Sequence, residues 1–330
     1  MSDIKATIFI PTYNGEKYLN EILKMIYKQI VDFKFDVLII DSGSTDKTLS
    51  IIHKFQNKHD NLELIQIPNS EFGHGKTRNY AATISRGEYM VYLSHDAVPS
   101  DIDWLYEILK PFEINEKIVG VMGRQAPRPK CVPLQKYEIL GAFKNLGPEF
   151  GTTIFFKDEF MKKSPVYYDP VTFYSDVNSA AKRSFLLETI PYRDVPYSED
   201  QLFGRDLIDA GYQKAYASRA TVIHSNDLEL KEYKHRVFDE IIGLRKIGTQ
   251  IPTPSKKAVL RMFVEGVLKD TYRTFKDQQY STKRRIFWLI VNPLYHIEKW
   301  RGYLLGLKVE LSDTARFDKF SLETRRQKNG

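Results

Sequence analysis

Four short apolar runs, Ala6–Ile10, Val37–Ile40, Leu62–Ile67 and Tyr89–Leu93, alternate with stretches of helical periodicity, and this alternation constrains the fold more than any other feature. The runs are rich in Ile, Val, Phe and Tyr and have the length of buried strands. Between them Leu19, Ile22, Leu23 and Ile26 recur at helical spacing after Asn14-Gly15-Glu16. Leu49, Ile52 and Phe55 do so after Ser44-Thr45-Asp46, where Ser or Thr can cap a helix. Strands alternating with helices predict an open parallel sheet covered on both faces. Ligands of such sheets bind beyond the carboxyl ends of the strands.

Polar motifs stand at those ends. The first run leads into Pro11-Thr12-Tyr13-Asn14-Gly15-Glu16, and the second into Asp41-Ser42-Gly43-Ser44-Thr45-Asp46. A third loop reads Glu71-Phe72-Gly73-His74-Gly75-Lys76-Thr77-Arg78-Asn79. Small residues, carboxylates and cations in these places are what a nucleotide-diphosphate pocket at a sheet edge requires. Asp41 either accepts a hydrogen bond from a uracil or thymine imide or a ribose hydroxyl, or serves as a cap or loop residue. Asp46 reads as the structural start of a helix. Gly73 and Gly75 let the backbone approach a ligand, and Arg78 offers a planar fork for a diphosphate or a base carbonyl. His74 could donate to the sugar or phosphate. The loop matches neither a Walker sequence nor a dinucleotide fingerprint.

Ser94-His95-Asp96-Ala97 closes the fourth run. One carboxylate there can hold a hard divalent cation that completes its shell with phosphate and water, or Asp96 is a plain loop residue. His95 reads as structural. Further on, Ser198-Glu199-Asp200 precedes a helical pattern. A carboxylate at a helix N-terminus is held ionised by backbone amides, and an ionised carboxylate can take a proton from an attacking hydroxyl. The same two residues could equally be caps. His224 follows the run Ala220–Ile223 and either ligates a metal, binds phosphate or ends the strand.

The middle of the chain, Gly120 to Asp194, reads as irregular, with Pro127, Pro129, Pro133, Pro148, Pro165 and Pro170 and aromatics at Tyr167, Tyr168, Phe173 and Tyr174. Loops of that length suit a lid or an acceptor site. A helix over Gln201–Ala210 with Gly211 as its C-cap follows. From Leu228 three helical stripes succeed one another: Tyr233, Val237, Ile241 and Leu244; then Val259, Leu260, Phe263, Val264, Val267 and Leu268; then Trp288, Tyr295 and Trp300.

At 330 residues with 42% hydrophobic and 13% aromatic content the chain has ample material for a core, which excludes global disorder. Its one cysteine, Cys131, excludes an internal disulfide framework and reads as an inert thiol in a reducing compartment. No basic-then-apolar leader opens the sequence, and Ile286–Val291 is far short of the ~20 residues that cross a bilayer, so a cytoplasmic protein is expected. The net charge of +7 is concentrated late: Leu228 to Gly330 holds 22 Lys and Arg against 12 Asp and Glu. That asymmetry points to an anionic membrane surface or to a solvated basic face; no nucleic-acid-binding motif is present.

The order Ile10-Pro-Thr-Tyr-Asn-Gly-Glu16, Ile40-Asp-Ser-Gly-Ser-Thr-Asp46, Arg78-Asn79, Ser94-His-Asp96 and Glu199-Asp200 resembles the family-two inverting glycosyltransferases of the GT-A fold. The resemblance implies a Rossmann-like mixed sheet flanked by helices over 1–227, with a nucleotide-sugar half of about 1–100 and an acceptor half of about 101–227. A basic helical extension over 228–330 would serve membrane association or homo-oligomer formation. It further implies that Thr12, Tyr13, Asp41 and Arg78 hold the nucleotide, with His74 and Glu199 among the substrate-binding residues. Asp96, with His224, would hold Mg²⁺ or Mn²⁺, and Asp200 would be the base. Glu71–Asn79, Ser94–Pro99 and Asn292–His296 look like bacterial rhamnosyltransferases that use dTDP-L-rhamnose. Their acceptors are lipid-linked or polymeric glycans of O-antigens, capsules and cell walls, which implies a peripheral enzyme at the inner face of the cell membrane. The usual Asp-x-Asp has Ser94 in its first place, which leaves the metal to Asp96 and His224. Transfer from a UDP-hexose and a non-catalytic glycan-binding scaffold are the competing readings. A sugar-1-phosphate nucleotidyltransferase is disfavoured because Pro11-Thr-Tyr-Asn replaces a Gly-rich basic loop.

Overall fold

Every apolar run of the first hundred residues forms a strand in the computed structural model, which describes residues 3–157, 169–226, 228–322 and 324–325. The order is β1 (Ile4–Thr12), α1 (Leu19–Ile26), β2 (Lys34–Asp41), α2 (Thr48–Gln56), β3 (Leu62–Gln66), α3 (His74–Ile84) and β4 (Tyr89–Leu93). Leu19, Ile22, Leu23 and Ile26 of α1 are all fully buried against Ile8, Ile10, Val37 and Ile39 of the sheet. Each such side chain contributes about 1.5–3 kcal/mol on leaving water. The predicted Ser or Thr cap of α2 is absent. Asp46 takes that part, its Oδ1 accepting the Thr48 N–H at 2.9 Å.

The parallel sheet predicted from the strand–helix alternation holds for β3-β2-β1-β4, and beyond β4 the sheet becomes mixed, as the family resemblance implied. After β5 (Val98–Pro99), α4 (Trp104–Leu109), β6 (Ile118–Ala126), α5 (Pro133–Lys144) and β7 (Thr152–Phe155), the strand β8 (Asn178–Lys182) runs antiparallel between β4 and β6. α6 (Arg183–Glu188), α7 (Glu199–Asp209) and β9 (Gln213–Ile223) follow, and β9 pairs parallel with β6. The nine strands form one mixed sheet ordered β3-β2-β1-β4-β8-β6-β9-β5, with β7 on β9.

The middle is therefore far more regular than its prolines suggested. β8 consists of Asn178-Ser-Ala-Ala-Lys, small residues that give no apolar run. Asn178 is fully buried with its amide satisfied: Nδ2 donates to the Arg124 and Ala220 carbonyls, and Oδ1 accepts from Trp104 Nε1 at 3.0 Å. A Cβ at Gly123 would lie 2.2 Å from that Nδ2, so glycine makes room for it. Pro165, Tyr167 and Tyr168 lie outside the described residues.

Because β8 is antiparallel to both neighbours, its first residue meets Leu93, the last residue of β4, and lies toward the carboxyl end of β6. The carboxyl ends of β1, β2, β4, β6 and β9 thus share one edge with the start of β8. Gly211 ends α7 in the left-handed conformation at φ +86°, its N–H bonded to the Ile208 carbonyl, as the C-cap reading expected.

The chain divides into two compact units, 1–126 with 142–224, and 127–141 with 225–330. The second holds α8 (Leu230–Lys246), α9 (Lys256–Lys276), α10 (Thr282–Lys308) and α11 (Thr314–Phe320). Glu229 and Glu232 form a capping box on α8, and Ser255 and Ser281 cap α9 and α10. Tyr233, Tyr280, Trp288 and Tyr295 make its core with Val132 and Leu134. Burial pushes the Cys131 thiol up, in keeping with an inert side chain.

Candidate active site

The loops after β1 and β2 are fastened to each other. Asp41 Oδ2 accepts the Gly43 and Ser44 N–H groups at 3.0 and 2.9 Å, and Oδ1 accepts the Thr12 and Ser44 hydroxyls. Asn14 Oδ1 accepts the Thr45 N–H at 2.8 Å, Glu16 accepts that of Lys47, and Asp46 accepts that of Glu16. Burial works against the ionised Asp46, yet its bonds from Thr48 and Glu16 hold that carboxyl below the usual range. Asp41 is 1% exposed and Thr12 2%. Both brace the loop at the sheet edge where the nucleotide is expected. Tyr13 remains half-buried at the same edge.

The Glu71–Asn79 motif is also used internally. A Cβ at Gly75 would stand 2.2 Å from the Arg193 carbonyl oxygen, so glycine admits a neighbouring stretch of chain rather than a ligand. Asn79 clamps that stretch in both directions, donating to the Tyr192 carbonyl at 2.8 Å and accepting its N–H at 2.9 Å. Arg78, expected on a diphosphate or base, is buried between the rings of Tyr92 and Tyr192. Its Nη1 donates to Glu199, and its Nε forms an ion pair with Asp176 Oδ2 at 2.9 Å. His74 opens α3, lies edge-on to Phe72, and helps to keep Glu199 ionised.

Arg78 thus holds a cluster of carboxylates. Asp176, two residues before β8, accepts from Ser179 Oγ at 2.6 Å and Tyr192 Oη at 3.0 Å. Its own N–H donates to Asp200 Oδ2 at 3.3 Å. Glu199 and Asp200 are the first residues of α7, introduced by Ser198 in the left-handed conformation at φ +65°. A non-glycine residue there is strained, and such strain collects at functional sites. Three carboxylates share one guanidinium, so they cannot all ionise at little cost. Burial raises the charged form of Glu199 in energy, but Arg78 and His74 outweigh it and lower that carboxyl. Burial, then Glu199 and Asp176, push Asp200 up to about 8. The expectation that helix amides keep Asp200 ionised is corrected: burial, with its acidic neighbours, outweighs them.

On the β4 and β9 side, Asp96 sits in the turn after β4, with Oδ2 3.4 Å from His224 Nε2. His224 Nδ1 lies 3.0 Å from Gln125 Oε1, and Gln125 Nε2 donates to Ser175 Oγ at 3.0 Å. The tautomer with its proton on Nδ1, donated to that amide oxygen, would leave the Nε2 lone pair toward Asp96. A carboxylate and an imidazole lone pair facing each other suit a shared divalent cation. Among the described residues no group of three or more His, Cys, Asp or Glu is arranged for a metal, so the remaining positions would fall to phosphate oxygens and water. His95 packs against Gly15, a structural place.

The two halves of the site are continuous. Asp96, His224, Gln125 and Ser175 lead to the adjacent Asp176 and so to Asp200, and Ser94 N–H donates to the Val177 carbonyl at 3.2 Å. Asp176, which no motif or periodicity marks, joins them. Its only sequence signal is a carboxylate set among Ser175, Asn178 and Ser179 in an otherwise aromatic stretch.

The profile of glycosyl transferase family 2 matches residues 7–188. The O-antigen chain rhamnosyltransferase WbaN of Salmonella anatum is 30% identical over 306 residues, covering 91% of this chain and 88% of that protein. The O-antigen chain rhamnosyltransferase RfbN of Salmonella typhimurium is 27% identical over 92% of this chain and 90% of that protein. A solved mannosyltransferase of Pyrobaculum calidifontis, in complex with GDP-Man and Mn²⁺, superposes with a TM-score of 0.55 at 17% identity, covering 92% and 90% of the two chains. Staphylococcus aureus TarS 1–349 does so with a TM-score of 0.52 at 19% identity, covering 96% and 78%. These solved neighbours share the GT-A fold. The chain belongs to glycosyl transferase family 2 and is a glycosyltransferase.

Proposed function

We propose that the enzyme moves L-rhamnose from dTDP-L-rhamnose, with inversion, onto a glycan or lipid-linked acceptor in bacterial surface-polysaccharide synthesis. The donor rests on the two O-antigen rhamnosyltransferases that match along nine tenths of the chain. The observation that carries the mechanism is Asp200, a carboxyl of raised basicity joined through Asp176 to the edge that bears Asp96 and His224.

Ionised Asp200 takes the proton of an acceptor hydroxyl as that oxygen attacks the anomeric carbon. The new C–O bond forms on the face opposite the diphosphate, the bond from the anomeric carbon to the diphosphate oxygen breaks, and the electron pair leaves on dTDP. General-base help of this kind contributes about 10²–10⁴-fold. Arg78 and Asp176 position Asp200 and tune its basicity without touching substrate. Asp96 and His224 would hold Mg²⁺ or Mn²⁺, which when bound stabilises charge on the leaving diphosphate. The basic C-terminal region would keep the enzyme against an anionic membrane, where lipid-linked acceptors reside.

Purified enzyme offered dTDP-L-rhamnose, UDP-glucose, UDP-galactose and GDP-mannose separately tests the donor. Preferential release of dTDP is expected. Faster turnover of a UDP-hexose assigns a different donor to the same chemistry, and no turnover of any donor favours a non-catalytic scaffold.

A further inference from the structure

α9 and α10 form a helical hairpin in the second unit, joined inside by the buried pair Asp270 Oδ2 and His296 Nε2 at 2.9 Å. The face turned away from that seam is apolar and open. On α9, Leu260, Val264, Leu268, Tyr272 and Phe275 are exposed at spacings of four, four, four and three, one continuous helical ridge. On α10, Phe287, Ile290, Leu294 and Ile297 do the same. Leu268, Phe275 and Ile290 are 63%, 68% and 70% exposed, values foreign to a core. Elsewhere among the described residues exposed large apolar side chains stand singly or in pairs such as Tyr80 and Ile84, which needs no explanation; a two-helix ridge does.

Charge decides what covers it. Residues 256–301 carry 11 Lys and Arg against 4 Asp and Glu, a charge of +7 that equals the net charge of the whole chain. An isologous pairing of two copies through this face would oppose two such hairpins. An anionic bilayer complements both the ridge and its charge. No helix among the described residues is long and apolar enough to cross a membrane, so this hairpin would lie in the interface plane.

We infer that the α9–α10 face is an interfacial membrane-docking surface that inserts its apolar ridge into anionic lipid. The inference rests on the membrane-facing reading of the C-terminal region and names the surface responsible. Co-sedimentation of the full chain with phosphatidylcholine vesicles, with and without phosphatidylglycerol, tests it. Binding is expected only with phosphatidylglycerol, weakening as salt rises. Leu268→Glu with Phe275→Glu should lower it about tenfold or more, and Lys269→Glu or Lys276→Glu about fivefold each. Donor hydrolysis in vesicle-free solution should stay unchanged in all these variants, so loss of docking and loss of the catalytic reading are told apart. Binding equally well to neutral vesicles, or binding unaffected by the double variant, overturns the inference. So does a dimer in light scattering that the double variant converts to monomer without any vesicle binding, since the face is then an interface between copies.

Discussion

Asp41 and Asp200 both stand at the carboxyl edge of the sheet, and the sequence offers both as functional carboxylates. Their surroundings are opposite. Asp41 is buried, and its two oxygens take four donors from its own loop and from Thr12. Asp200 keeps part of its surface, accepts only two backbone N–H groups, and faces two further acidic side chains. A carboxylate saturated with donors suits a brace, and one with few donors that is crowded by like charge suits the base proposed above. Residue type alone does not separate the two; the count of donors does.

The comparison can be broken most forcefully at Asp200. Asp200→Asn should lower transfer about 10²–10⁴-fold while donor affinity, read by titration calorimetry, stays within a few-fold. Near-normal turnover would place the base elsewhere. Arg78→Met comes next, because it leaves Asp176 and Glu199 buried without their cation. A loss of about 3–5 kcal/mol in denaturant unfolding is expected; an unchanged midpoint would mean that Arg78 does not hold the cluster.

Gln125→Leu removes the amide that faces His224 Nδ1. Mn²⁺ affinity measured without substrate should fall about 10–100-fold, whereas unaltered affinity would detach His224 from the metal. Asp41→Asn is the mildest change, expected to cost about 1–3 kcal/mol in thermal unfolding with little change in turnover of bound donor. A raised KM for donor at an unchanged melting temperature would place Asp41 on the nucleotide instead.

The legible and illegible parts of the chain differ for physical reasons. α1 could be read because Leu19, Ile22, Leu23 and Ile26 all face one core. β8 could not, because Ser179, Ala180 and Ala181 pair between two strands with side chains too small to register as an apolar run. The Glu71–Asn79 motif was visible as a motif, but its use was not. Gly, Arg and Asn suit a ligand or a neighbouring chain equally well, and the partner here lies more than a hundred residues on, at Tyr192 and Arg193. The pairing of Asp96 with His224 was readable from their places at two strand ends. Asp176 was not, since its role depends wholly on Arg78 and Asp200. On α9 the helical stripe was plain, whereas which half of it would be covered depended on packing.

The pH dependence of kcat/KM for transfer probes the account at its centre, because it reports the base in the free enzyme. As the proposed base Asp200 would act only when ionised, and burial with its acidic neighbours pushes its carboxyl up to about 8. The rate should therefore climb as pH rises through that value and level off above it. A profile already flat between about pH 5 and pH 9, on a protein folded throughout, is incompatible with a crowded Asp200 as the base.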